Sequence, residues 1–264
     1  MSHFKSKIAA QLYSVRDEFE KDCEGTLKTL KEIGFEAVQL DGMRGNDPHD
    51  VAELIRKYEF NIAGMHIDHD RFLYDLDGII EEAYIFGCKT VYDKYINDEK
   101  QYEDGYRETK TALVQAAKNL SALGFRIGLH NPEYDYNNIV DGRKILDFMT
   151  DPVHGVCIYA EPDTYWMAVA GENPVESIKK YSGRAPVVHL KDFKSGYEPT
   201  DIKNNLTEVG AGEIDMEAII HWGENHGVEY YCIEQDYSSI GIFDSLAFGF
   251  SHVMNIGKAL EKND

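Results

Sequence analysis

The feature that most constrains this chain is a recurring stop signal. Four times an amphipathic run ends in a glycine and an apolar run begins at once: Gly34-Phe35, Gly87-Cys88, Gly124-Phe125 and Gly227-Val228. Glycine there supplies the left-handed C-cap that ends a helix, so the repeating unit is helix, glycine, strand. Strand candidates are IAAQL, EAVQL, IAGMHI, KTVYD, RIGLH, GVCIYA, PVVHL and YYCIEQ, eight in all. In TLKTLKEIG, Leu27, Leu30 and Ile33 recur at helical spacing with charges on the other face. Continuous apolar strands alternating with helices imply a parallel sheet covered on its faces. Eight such units in 264 residues predict an α/β fold, a closed (β/α)8 TIM barrel forming a single domain over residues 1–264, rather than an open doubly wound sheet. No GxGxxG follows a strand to favour the open form.

Charge and cysteine usage narrow the function. Against 47 Asp+Glu stand 27 Lys+Arg, a formal net charge of −20. Nucleic acid and anionic membrane surfaces need a basic face, so neither is an expected partner. No stretch approaches the length of a membrane span. The N-terminal apolar run is broken by Gln11 and ended by Arg16 and Asp17, too soon for a signal peptide. Cys23, Cys88, Cys157 and Cys232 form no CxxC pair, and the last three sit in apolar runs as expected buried thiols. A reduced, cytoplasmic protein is the simplest expectation. Tyr134, Tyr136, Tyr197 and Phe243 fall in loops after strands, where exposed aromatics would serve a lid or a homo-oligomer interface.

In such a barrel the C-terminal strand ends converge on one mouth. Here those ends carry Gln39 and Asp41, His66 and Asp68, Asp93, His130, Glu161 and Asp163, His189 and Lys191, and Glu234 and Asp236. Carboxylates and imidazoles buried there unpaired would be costly, and a shared ion offsets that cost. His, Asp and Glu without cysteine suit Mn²⁺, with Zn²⁺, Co²⁺, Fe²⁺ or Mg²⁺ as alternatives. Each residue taken alone has a plainer reading. A strand-end His is ordinarily a hydrogen-bonded wall residue, and an Asp before a helix is ordinarily an N-cap. What favours an ion is that four late strands carry such residues together. A second ion at His66, Asp68 and His69 is a weaker alternative to a polar wall.

The motifs DTYW, AGxNP, HLKD, VGxGxID and a strand ending E-Q-D, in that order, together with QLYSVRDEF and IGFEAVQLDG, resemble the xylose isomerase-like TIM barrels known as sugar phosphate isomerases/epimerases. The resemblance covers nearly the whole chain. It implies a divalent metal, usually Mn²⁺, held by Asp163, His189 and Glu234. Many relatives end the fifth strand in a ligating Glu, and a closer subgroup reads HNHxxEF. This chain reads HNPEYDY, leaving His130 at the strand end as fourth ligand and Asp135 where the subgroup has Glu.

Isomerising or epimerising a sugar removes a proton beside a carbonyl, and a metal stabilises the resulting enediolate. A carboxylate on each side of the carbon takes and returns the proton. Glu234 is one candidate base, and His130 or Asp135 is the other. Lys191 lies on the same side of its strand as His189 and either stabilises an oxyanion or pairs with Asp163 or Asp236. Trp166 and Tyr165 form an aromatic wall for a small carbohydrate, one of them packing; His66 and Tyr13 complete the substrate contacts. The leading expectation is a metal-dependent sugar (or sugar phosphate) isomerase/epimerase. The alternative is a lyase or hydrolase of keto-sugars, keto-inositols or 3-keto-glycosides on the same barrel. Endonuclease relatives of the fold conflict with the charge of −20. A non-catalytic sugar-binding barrel would be favoured only if no metal were retained.

Overall fold

The computed structural model describes residues 3–198 and 200–262. Eight parallel strands run β1 (Ile8–Gln11), β2 (Ala37–Asp41), β3 (Asn61–Ile67), β4 (Thr90–Asp93), β5 (Arg126–His130), β6 (Tyr159–Glu161), β7 (Val187–Leu190) and β8 (Tyr230–Ile233). Each is followed by a helix: α1 (Cys23–Ile33), α2 (Pro48–Lys57), α3 (Leu76–Phe86), α4 (Glu103–Leu120), α5 (Ile145–Thr150), α6 (Thr164–Val169), α7 (Met216–His226) and α8 (Ile242–Leu260). The hydrogen-bonded order is β6-β5-β4-β3-β2-β1-β8-β7. The remaining seam, between β6 and β7, is bridged by the parallel pair Asp163 and His189, by Ala160 N–H to Arg184 O at 2.8 Å and by His189 N–H to Pro162 O at 2.9 Å. The sheet is thus a nearly closed (β/α)8 barrel, and two short hairpins, 139–144 and 192–207, decorate the loops after β5 and β7.

The glycine stop signals do what their positions predict. Gly87, Gly124 and Gly227 have φ of 66°, 80° and 84°, and Gly34 has 123°, all conformations that a Cβ disfavours. Helix starts are set by aspartates. Asp22, Asp47, Asp75, Asp163 and Asp215 each accept from a backbone N–H in the first turn of α1, α2, α3, α6 and α7, which accounts for part of the acidic composition.

The two-residue period of the strands sorts the core. Ile8, Ala10, Val38, Leu40, Val91, Ile127, Leu129, Val188, Leu190, Tyr231 and Ile233 join the layer packed by the helices. The alternate residues Ala9, Ala37, Ala63, Tyr92, Val187 and Cys232 fill the lower barrel. One extra residue on β3, opposite the Val38/Gln39 step, shifts the register so that Asp41 pairs with His66. Continuing the inward parity upward leads to Gln11, Gln39, His130, Glu161, His189 and Glu234, and the extra residue on β3 turns His66 to the same side, so the apolar plug gives way to a polar layer.

Three expectations need correction. Tyr134 and Tyr136 are buried, not exposed, because the loop after β5 folds back as a helical turn, and Tyr134 Oη accepts from Ile96 N–H at 2.7 Å. Tyr197 is exposed as expected, and Phe243 is half-buried. Cys157 is half-buried rather than buried, because β6 begins only at Tyr159. No helix among the described residues is long and apolar enough to cross a membrane.

Gly128 on β5 lies under the site, where an added Cβ would run into the Tyr92 ring and the Tyr159 carbonyl. Gly128→Ala overpacks the barrel interior and should cost about 1–3 kcal/mol. Thermal unfolding checks this: a midpoint lowered by several degrees is expected, and an unchanged one contradicts the packing described.

Candidate active site and metal centre

His189 is the hub of the polar layer. It is fully buried, and its Nδ1–H donates to Glu234 Oε2 at 2.7 Å while Nε2–H donates to Gln39 Oε1 at 2.6 Å. Gln39 passes the chain on, donating from Nε2 to Glu161 Oε1 at 2.5 Å and accepting from Gln11 Nε2 at 3.2 Å. Glu161 Oε2 also accepts from His66 Nε2 at 2.5 Å and lies 3.5 Å from His130 Nδ1. Three imidazoles therefore crowd together, with ring centroids 4.7 Å apart for His130 and His189 and 5.0 Å for His66 and His130.

Burial and neighbours divide the protonation states. Burial alone would neutralise His189, but Glu161 and Glu234 outweigh it and hold the ring's pKa up to about 10. His130 has only Glu161 beside it, and burial takes it down to about 4. Burial raises Asp163 to about 7, against the opposing pull of Lys191. For Glu234 burial also pushes upward, but Lys191 and His189 prevail and keep it below the usual carboxylate range.

Asp163 opens α6 and spends one oxygen on it. Oδ1 accepts from Tyr165 N–H at 2.8 Å and Trp166 N–H at 3.1 Å, whereas Oδ2, buried, has no partner. His130 Nδ1 is likewise buried without a partner. Such orphaned groups are costly unless something else binds them. Ligand atoms of His130, Asp163, His189 and Glu234 all lie within 4.8 Å of one another, as do those of His66, His130, Glu161 and His189. Either quartet can hold a cation, and they share His130 and His189. Asp68 and His69 belong to neither. His69 turns away and donates from Nδ1 to Asp93 Oδ2 at 2.6 Å, which favours the polar wall over the weaker alternative of a second ion at His66, Asp68 and His69.

The other expected residues separate into wall and support. A cavity of about 400 Å³ at the mouth is lined by Tyr13, His66, His130, Trp166, Lys191 and Glu234, with Glu133, Lys94 and several aspartates around them. Asp135 and Tyr165 are off this wall. Asp135 is fully buried behind it, its pKa held well above the usual range by burial and by Asp93, and Glu133 takes the position on the wall. Tyr165 is also fully buried, donating from Oη to Asn205 Oδ1 at 2.5 Å. Lys191 is an ion-pair partner, with Nζ 2.7 Å from Asp236 Oδ2 and 3.9–4.0 Å from Asp163 and Glu234, and it sits over the Trp166 ring at 4.9 Å. Two central residues had been given no role from sequence. Glu161 ends GVCIYAE with the parity of Asp163, and Gln39 has the parity of Asp41; that parity was the available signal.

The motifs hold the site in place. Thr164 Oγ1 donates to Lys191 O at 2.7 Å and accepts from Lys191 N–H at 3.1 Å, tying α6 to the end of β7. Asp192 is fully buried and accepts backbone N–H groups of Phe193, Gly210, Gly212 and Ile214 at 2.8–3.2 Å. A Cβ on Gly212 would overlap its carboxylate.

With fold and geometry in hand, comparison with known proteins is direct. A family model for the xylose isomerase-like TIM barrel matches residues 27–239. The chain belongs to that family. Among solved structures, this xylose isomerase-like barrel is similar to a sugar phosphate isomerase/epimerase from Parabacteroides distasonis, at 19% identity over 93% of this chain and 96% of that one, with a TM-score of 0.77. It is also similar to L-ribulose 3-epimerase (14% identity, 97% and 96% covered, TM-score 0.70) and to the IOLI protein with bound zinc (13% identity, 96% and 98% covered, TM-score 0.72). At these identities the likeness shows the fold. No curated protein matches the sequence.

Asp192→Ala leaves four backbone donors of the β7 loop without their acceptor, so it should cost at least about 2 kcal/mol. Chemical denaturation measures this, and a stability equal to wild type would contradict the role given to Asp192.

Proposed function

We propose that this xylose isomerase-like barrel is a divalent-metal-dependent sugar isomerase or epimerase that works by removing a proton beside a carbonyl. The observation that carries the proposal is the quartet His130, Asp163, His189 and Glu234. Four buried side chains from four consecutive strand ends have ligand atoms within 4.8 Å of one another, and two of them, Asp163 Oδ2 and His130 Nδ1, accept no hydrogen bond. These residues fit a borderline cation such as Mn²⁺ or Zn²⁺, with His189 giving up one ring proton to ligate. The neighbour with bound zinc and the neighbouring epimerase support the same reading. When bound, the ion supplies Lewis-acid polarisation of a substrate carbonyl and the adjoining hydroxyl.

The chain's own groups do the rest. Glu234, held by His189 through Oε2 and part of the cavity lining, is the carboxylate that takes the proton. Lys191 Nζ, 4.0 Å from Glu234 Oε1 and tied to Asp236, keeps the carboxylate ionised and places a positive charge where negative charge develops on substrate oxygen. Trp166 and Tyr13 offer apolar faces to the sugar ring, and the His66 ring, held by Glu161, closes the wall on the β3 side. For the opposite face of the reacting carbon, His130 is the group on the wall; Asp135 is not. Burial keeps His130 neutral at pH 7, which suits it as a ligand through the unpaired Nδ1. A single carboxylate base also suits the lyase reading, in which the same abstraction is followed by loss of a leaving group.

Glu234→Gln keeps the shape and removes the basic carboxylate, so turnover should fall at least about 100-fold. With the wild type in deuterium oxide, solvent deuterium should enter the product at the reacting carbon. Near-normal turnover by Glu234→Gln with metal still bound contradicts the role of Glu234. Release of water or a fragment, rather than an isomer, establishes the lyase instead.

A further inference from the structure

We propose that the sugar accepted here carries no phosphate or other anionic group. This rests on the reading of the mouth as a sugar site and deepens it. A protein holds a sugar phosphate with free cations or with converging backbone N–H groups, and in TIM barrels the loops after the seventh and eighth strands commonly form the N–H cradle. In this chain the lysines of the lining and the N–H groups after β6 and β7 are already taken by its own carboxylates.

The cations come first. Five carboxylates line the cavity, Asp41, Asp68, Glu133, Glu234 and Asp236, against two lysines, and two more, Glu161 and Asp163, lie buried among the residues beneath. Lys94 Nζ is 2.9 Å from Asp68 and 3.4 Å from Asp41. Lys191 Nζ is held by Asp236 at 2.7 Å. At the rim, Arg44 is paired with Asp41. Arg16 donates to the carbonyls of Tyr13 and Asp236 at 2.9 and 3.2 Å while stacked 4.4 Å over the Tyr13 ring. Two charges from a divalent ion leave the lining net negative, so a phosphate entering it meets like charge with no unpaired lysine among the lining residues to offset it.

The backbone cradle is the second, independent observation. After β7, the N–H groups of Gly210, Gly212 and Ile214 converge as an anion nest does, and the anion they hold is the Asp192 carboxylate, at 2.9–3.2 Å. After β6, the first N–H groups of α6 are taken by Asp163 Oδ1. What remains at the mouth is carboxylate acceptors, imidazoles and the faces of Trp166 and Tyr13. These recognise hydroxyl groups and C–H faces.

The test is titration calorimetry of the metal-loaded full chain with matched pairs drawn from ketoses, keto-inositols and 3-keto-glycosides, each with its phosphate ester. The best neutral member should bind at least about tenfold more tightly than its ester, because like charges brought together at a binding site are strongly disfavoured. Asp68→Asn, which loosens Lys94, should narrow the gap severalfold. Esters that bind as tightly as their neutral partners overturn the inference, as does binding of no neutral member. Turnover that fails while the neutral preference holds would instead sink the isomerase reading.

Discussion

Everything at the mouth depends on one constraint: carboxylates and imidazoles are buried in a space with little water, and each must be matched. Glu161, Asp163 and His189 are fully buried and Glu234 nearly so. Removing such groups from water costs several kcal/mol each unless partners are aligned. His189 meets that demand by donating to Glu234 and Gln39 at once, and Gln39 in turn fixes Glu161. The network is nearly satisfied by protein alone. Among the quartet, Asp163 Oδ2 and His130 Nδ1 are left without a hydrogen bond, and a ligand from outside would fill that gap.

The barrel supplies this arrangement through parity and through its seam. Inward residues alternate along the strands, with β3 corrected by its extra residue, so small and aromatic residues plug the lower half while the next pleat up presents polar groups. Strands β6 and β7 are joined above Glu161 by the Asp163–His189 bridge, so the least regular part of the sheet is also the part that brings two candidate ligands together. Thr164 and Asp192 then lock the two loops that leave these strands. Stability and the proposed chemistry thus share residues.

This organisation was largely legible in the amino-acid sequence. Eight apolar runs and four glycine stops are enough for the barrel, because helix ends and parallel strands are local and periodic. The strand-end inventory also contains every member of both ligand quartets. Legibility failed where side-chain direction departs from strand end. Asp93 ends β4 but has the opposite parity to Tyr92, so it faces His69 rather than the mouth. Asp135 and Tyr165 lie beyond strand ends in helical turns, whose rotation, set by tertiary packing, buries them behind Glu133 and Trp166. Asp192 reads as one more strand-end acid, and only the folded loop reveals that it serves backbone donors.

The central claim is that the polar layer is built around one divalent ion. Metal content after exhaustive dialysis, compared between the wild type and His189→Ala with circular dichroism confirming the barrel in both, tests it most directly. The account predicts about one equivalent per wild-type chain, since one ion can use the shared pair His130 and His189, and almost none in the variant. A full equivalent retained by His189→Ala, or none taken up by the wild type from a solution of Mn²⁺ or Zn²⁺, would contradict it.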